Sequence, residues 1–322
     1  MKALIFEQFG SPEVLRYAEI PDPTLKLGHI VVRTKAIGMN FADVYRRKGN
    51  YHLAGKPPFI LGYEGAGIVE QVAPDVVDIS VGDRIAFVDV PFANAELVAM
   101  PVERAIPLPL DISFEQAAGI LLQGMTAHYL VNDSCKVQLG DVILVHAAAG
   151  GVGQLLTQLG KNKGAKVIGL TSSEAKKEVA RKAGASEVFS YDSDWVQAVV
   201  ACTENRQGVD VVYDSVGSTL MDSFAAVKTK GTVVFYGMAG GDPPHVDPRM
   251  LMDTSKTLTG GDLWNHVTTR ANRIERSQEL FQALRQGTIQ MEDLMCIPLS
   301  EGAGAHRLME SRMSTGKILL IP

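Results

Sequence analysis

The chain has 322 residues, 46% of them hydrophobic and 21% charged, with a formal net charge of −5. That length predicts roughly two domains, and the acidic balance argues against nucleic acid as a partner. Three scattered cysteines, Cys135, Cys202 and Cys296, form no C-x-x-C pair, which fits a reducing, cytoplasmic setting and speaks against a structural zinc lobe.

The N-terminal stretch MKALIFEQFG meets Glu7 too early for a signal peptide. Residues 1–123 read as β-rich. Short apolar runs such as Ile30–Arg33 and Gly67–Glu70 alternate with Pro21, Pro23, Pro57, Pro58 and Pro91, and a Gly82–Asp83 turn opens another strand. This spacing predicts an antiparallel, barrel-like domain.

From 124 to 264 the pattern becomes alternating strand and helix. Strands are predicted at Val142–Val145, Lys166–Leu170, Glu187–Tyr191, Val209–Tyr213 and Thr232–Tyr236. Helices are expected after the glycine cluster, over Glu174–Lys182, and from about Thr219. The pattern predicts an α/β, doubly wound parallel sheet. Val142–Gly160 is free of charge over about the length of a membrane span. It nevertheless contains His146, two glutamines and the glycines, so no membrane association is expected. Residues 265–322 should return to the first domain, with an amphipathic helix over Arg273–Arg285 and a final strand in KILLIP. Ile274, Leu280, Phe281 and Leu284 form the expected apolar face of that helix.

VHAAAGGVGQLLTQ, Val145–Gln158, carries the second and third glycines of a G-x-G-x-x-G fingerprint at Gly150 and Gly153, with Ala148 at the first position. A strand, a glycine turn and a helix start gather backbone N–H groups and the positive helix end at one point, where a pyrophosphate binds. Ala149, Gly150, Gly151, Val152 and Gly153 are therefore the candidate cradle. A buried glycine-bearing helix is the bland alternative, and the βα units that follow weigh against it. An NAD site places a carboxylate at the end of the second strand. Here that strand ends in Leu170-Thr171-Ser172-Ser173, with Lys176, Lys177 and Arg181 on the next helix. Ser172 and Lys176 thus favour NADPH, although an ordinary solvated lysine face stays open and Glu174 keeps NAD in play.

The motifs NFADVYRR, GYEGAGIVEQV, VGDRIAF, HAAAGGVG and ESRMSTGKILLIP occur in this order along the chain. Together they resemble the zinc-free quinone oxidoreductases (zeta-crystallin-like) of the medium-chain dehydrogenase/reductase superfamily. The resemblance implies a GroES-like β-barrel catalytic domain, a Rossmann NADP-binding domain and a homodimer. It also implies that Asn40, Tyr45 and Tyr51 line the nicotinamide and quinone site, that Lys176 and Tyr191 flank the 2′-phosphate, that Arg312 reaches it from the tail, and that Gly237 lies along the cofactor. Zinc-bearing relatives carry Cys where this chain has Gly38-Met39-Asn40, His where it has Tyr63, and a third ligand near Gln123. A catalytic zinc needs about three N or S ligands, so no metal is expected, and Glu64 reads as a buried charge held by local hydrogen bonds.

Without a Lewis acid the acceptor must delocalise the incoming charge itself, as a quinone or conjugated carbonyl does. The expected activity is hydride or electron transfer from NADPH to a quinone. Reduction of enone or alkenal double bonds is the alternative within the enzyme class. A non-catalytic, crystallin-like nucleotide holder or a methyltransferase would be readings from other classes.

Overall fold

The computed structural model describes residues 1–191, 194–291, 294–311 and 313–322. The chain divides into two compact units. The first comprises Met1–Gln123, Val267–Gln282 and Met291–Pro322; the second comprises Gly124–His266 and Ala283–Gln290.

Within the first unit, a seven-stranded sheet among the described residues runs Leu294–Pro298, Lys317–Ile321, His29–Gly38, Glu64–Val72, Arg84–Val88 and Ala105–Pro107, with Leu97–Pro101 pairing the His29–Arg33 half of His29–Gly38 and the final strand pairing its far end. The strands alternate buried with exposed positions where one face meets solvent, as at Val32-Arg33-Thr34-Lys35. Their inner faces join Leu4, Phe6, Ile30, Val32, Phe87, Ile318 and Leu320 in one core. The final strand lies antiparallel to His29–Gly38, with Leu319 opposite Gly38 and Leu320 opposite Ile37. That register brings the chain's last residues to the start of the helix Phe41–Lys48, and Met39 N–H donates to the Ile318 carbonyl at 3.0 Å.

Among the described residues the second unit holds a six-stranded sheet in the order Glu187–Ser190, Lys166–Thr171, Val142–Val145, Val209–Asp214, Val227–Phe235, Thr257–Gly260. Every pairing is parallel. This is the 3-2-1-4-5-6 order of a dinucleotide-binding sheet, with the first strand at the topological switch point. Its strands read as continuous Val, Ile and Leu because both faces are covered, and Leu144, Ile168, Leu170, Val212 and Val233 share a core with Trp195 and Phe224.

One element differs from expectation in its packing. The helix runs Arg270–Arg285 and buries Arg273, Arg276, Ser277, Leu280 and Phe281, while Ile274 and Leu284 are only half-buried. Arg273 can be buried because its guanidinium donates to the carbonyls of Val267 at 3.1 Å and Glu103 at 3.3 Å, exchanging water for backbone acceptors.

Candidate active site

The glycine loop follows the central strand of the second unit. Ala147 has φ +48° and its carbonyl accepts Gly150 N–H at 2.8 Å, which closes the turn. Gly150 then caps the helix Gly151–Asn162, so Gly151, Val152 and Gly153 form its first turn and present N–H groups without intrahelical partners. A Cβ on Gly153 would stand 2.3 Å from the Ala147 oxygen; only glycine fits. Ala148 is fully buried, its N–H donates to the Leu170 carbonyl at 3.0 Å, and its methyl fills the space beside Gly169, where a Cβ would lie 2.9 Å away. The missing first glycine is thus displaced onto the second strand. Ala149 is buried, and its carbonyl is held by Gln154 Nε2 at 2.9 Å.

Ser172 is exposed at the tip of the second strand and Lys176 is half-buried on the helix Glu174–Lys182. Lys177 pairs with Glu174 at 2.8 Å and Arg181 with Glu178, so these two cations and Glu174 are engaged on their own helix. Gly237 sits just past the strand Val227–Phe235, where a Cβ would come within 3.1 Å of the Ser215 carbonyl. The Tyr191 hydroxyl turns towards the glycine loop and accepts Ala147 N–H at 3.0 Å. Arg312 lies outside the described residues.

In the first unit, Asn40 caps the helix Phe41–Lys48 with its backbone: its N–H donates to Asp43 Oδ2 at 3.0 Å, and its carbonyl accepts Asp43 N–H at 2.9 Å. The side chain turns instead to a buried ionic cluster. Asn40 Nδ2 donates to Glu64 Oε2 at 3.0 Å and to the Gly38 carbonyl at 3.3 Å. Asn40 Oδ1 accepts Lys317 Nζ at 3.0 Å and Gln123 Nε2 at 3.3 Å. An asparagine amide offers two donors and two acceptor lone pairs, and all four are engaged. Glu64, fully buried, is paired with Lys317 at 2.6 Å and accepts Leu122 N–H at 2.6 Å. A Cβ at residue 38 would lie 2.2 Å from Glu64 Oε2, which fixes Gly38.

Of the positions that carry metal ligands in zinc-bearing relatives, Gly38, Asn40 and Gln123 meet in space around Glu64, next to Tyr63 in the chain, but they supply no Cys or His. The Asn40 amide is turned on an internal carboxylate–ammonium pair and holds Gln123, while the Tyr63 hydroxyl accepts the Ala54 N–H at 3.2 Å. Among the described residues no group of three or more His, Cys, Asp or Glu is placed to hold a metal. A zinc ion does not fit this donor set.

Tyr45 and Tyr51 are half-buried and approach edge-on, with centroids 6.5 Å apart. The Arg46 guanidinium, itself buried, lies 5.1 Å from the Tyr51 ring centre and 3.7 Å from that of Tyr63, a cation–π arrangement that fixes both rings. Arg46 also pairs with Asp43 at 3.3 Å; burial pushes the Asp43 carboxyl up despite that cation. Sequence reasoning missed Lys317 because it opens a terminal strand and resembles a solvated end. It passed over His146 because the residue precedes the glycine motif. No local signal marks the first; for the second, a polar residue at the end of a fully apolar parallel strand was the clue.

The sequence matches the alcohol dehydrogenase GroES-like domain family over residues 26–137 and the zinc-binding dehydrogenase family over residues 151–279. A 2-haloacrylate reductase from Burkholderia sp is 36% identical over 99% of this chain and 98% of its own. A quinone oxidoreductase from Pseudomonas aeruginosa is 37% identical over 100% and 99%. The crystal structure of Escherichia coli quinone oxidoreductase complexed with NADPH superposes with a TM-score of 0.96 at 36% identity, covering 100% of both chains. A GroES-like unit joined to a parallel dinucleotide-binding sheet defines a medium-chain dehydrogenase/reductase. Within that superfamily the chain belongs to the zinc-free quinone oxidoreductases.

Proposed function

We propose that this protein is an NADPH-dependent quinone reductase that works without a metal, as a cytoplasmic homodimer. The observation that carries the cofactor assignment is the second strand of the parallel sheet. It ends in the hydroxyls of Thr171, Ser172 and Ser173 with no carboxylate at its tip; on the helix that follows, Glu174 is paired with Lys177, and Lys176 is half-buried. The residues fit the group: Gly151, Val152 and Gly153 open the helix Gly151–Asn162 and offer N–H groups without intrahelical partners, and Ser172 and Lys176 suit a 2′-phosphate. NADPH, when bound, supplies a hydride.

The chain's own residues orient the acceptor and receive developing negative charge on its oxygen. Tyr45 and Tyr51 are the hydroxyl donors, with the Tyr51 ring held by Arg46 and the Tyr45 ring edge-on to Tyr51 and Phe41. The Asn40 amide is committed at all four sites, so it acts by holding Gln123, whose half-buried amide is the outer end of the Lys317–Glu64–Asn40 cluster. The conjugated acceptor spreads the charge that a metal would otherwise take, and water protonates the product.

Steady-state rates with 1,4-benzoquinone and a panel of enones, using NADPH and NADH, test this. Quinone reduction with NADPH preferred is expected. Lys176→Ala should cut the NADPH preference about tenfold or more, by loss of a charge-assisted contact; an unchanged preference removes Lys176 from the 2′-phosphate. Reduction of a conjugated double bond is the second reading, favoured by the 36% identity to a 2-haloacrylate reductase. Faster turnover of enones than quinones would select it. Intact NADPH binding with neither activity would overturn both readings.

A further inference from the structure

A chain of buried polar groups lies against the glycine loop and touches none of the groups assigned to the reaction. Asp214, at the end of the strand Val209–Asp214, accepts the amides of Val216 at 2.8 Å and Gly217 at 3.1 Å on one oxygen. Its other oxygen accepts Ser223 Oγ at 2.7 Å and Thr219 Oγ1 at 2.9 Å. His146 Nε2 stands 3.1 Å from Ser223 Oγ, and His146 Nδ1 is 3.2 Å from the Tyr191 hydroxyl and 3.4 Å from Thr219 Oγ1. Asp214, His146 and Ser223 are fully buried, and the Trp195 ring closes the imidazole edge-on at 5.4 Å.

Counting hydrogens fixes the direction of every bond. Burial pushes the Asp214 carboxyl up, but the hydrogen bonds from Ser223, Gly217 and Val216 favour its ionised form and the group lies below the usual range, so it is an acceptor only. Ser223 and Thr219 each have one hydroxyl hydrogen, and both are spent on Asp214. Ser223 Oγ therefore accepts, and His146 Nε2 carries the proton. Burial pulls His146 below its ordinary value against the charges of Asp214 and Asp222, so the ring is neutral and Nδ1 is a bare acceptor. Tyr191 supplies the hydrogen that Nδ1 needs, while its oxygen accepts Ala147 N–H at 3.0 Å. The chain runs one way, from Ala147 N–H through Tyr191, His146 and Ser223 to Asp214.

Its outer end is the peptide that shapes the loop. Ala147 holds a left-handed φ of +48°, unusual for a residue with a side chain, and its oxygen lies where the Cβ of any other residue at 153 would fall. We propose that His146 and Tyr191 are positioning residues for the diphosphate cradle: the chain anchored on Asp214 holds the Ala147 peptide, and with it the N–H groups opening the Gly151–Asn162 helix. Tyr191 then serves the diphosphate, common to NADPH and NADH, and not the 2′-phosphate that tells them apart. The inference rests on reading this loop as a nucleotide cradle.

Dissociation constants for NADPH and NADH, measured by nucleotide fluorescence without any acceptor, separate the two roles. Tyr191→Phe removes the acceptor for Ala147 and the donor to His146, and should weaken both nucleotides by the same factor, roughly tenfold for hydrogen bonding of this kind. His146→Phe should do likewise. His146→Gln, whose amide can donate to Ser223 and accept from Tyr191, should restore most of the affinity. Circular dichroism checks that each variant is folded. A loss confined to NADPH in Tyr191→Phe, no loss for either nucleotide, or equal losses in His146→Phe and His146→Gln would overturn the proposal. A wild-type chain that binds neither nucleotide would overturn the cradle reading and this one with it, whatever the acceptor.

Discussion

Lys317 and Glu64 decide how the first unit keeps a charge in its core. Taking one ion out of water costs several kcal/mol, recovered only with a close partner and further hydrogen bonds. Glu64 has Lys317 at 2.6 Å, the Leu122 N–H at 2.6 Å and Asn40 at 3.0 Å. Either single change, Lys317→Met or Glu64→Gln, leaves an uncompensated charge and should cost about 3–5 kcal/mol. The double variant restores neutrality and should cost clearly less than the two singles added together. Urea unfolding of all four proteins completes the cycle, and strict additivity would mean that the pair is not coupled. Half of this was legible beforehand: Glu64 follows Tyr63 where no metal set can form, so it had to be a buried carboxylate with partners. Its cation was not, because Lys317 lies 253 positions away and only the register of the last strand brings it home.

The glycine loop shows what a local pattern tells at the scale of an element. Strand, turn and helix were readable from alternating texture, and the helix after the second strand has the expected bounds, Glu174–Lys182. What the pattern did not reveal is why Ala148 is tolerated: the compensating glycine, Gly169, is on the neighbouring strand. A methyl on Gly169 would sit 2.9 Å from the Ala148 Cβ, closer than real carbon contacts, in a sheet covered on both faces. Gly169→Ala should therefore destabilise by about 1–3 kcal/mol through overpacking. Adding Ala148→Gly, which empties that space and restores the first fingerprint glycine, should recover much of the loss. Thermal unfolding of the singles and the double tests the exchange, and a double variant no better than Gly169→Ala would show that the methyl meets something else. The helix Arg270–Arg285 was harder to read for the opposite reason. Its buried stripe includes two arginines, and periodicity reasoning assigns arginine to solvent because it cannot foresee backbone carbonyls waiting to accept.

Across the whole chain, acid is the condition that tests the buried polar design, because each unit holds one fully buried histidine, His306 in the first and His146 in the second. In the first unit, His306 Nδ1 accepts from Arg47 Nη1 at 3.1 Å, while Arg47 also pairs with Glu310 and donates to the Gly10 carbonyl at 3.0 Å. These contacts bind the helix Gly302–Glu310 to the helix Phe41–Lys48. Burial, then the Arg47 charge, lowers the His306 pKa to about 3 from an ordinary 6.5, against the opposing pull of Glu310. The unfolded chain therefore binds one proton more than the folded chain between those two values. The stabilisation from a neutral His306 is complete above about pH 6.5 and is lost as the pH falls towards 3, at up to about 1.4 kcal/mol per pH unit. His146, also lowered, acts with the same sign in the second unit. His306→Gln keeps an acceptor for Arg47 but cannot titrate, so its urea-unfolding free energy should fall less steeply with acid, by about one proton. Parallel pH profiles for the variant and the wild type would mean that His306 is not held neutral in the fold. A loss of stability in the variant that is constant across the whole range would instead assign its worth to packing.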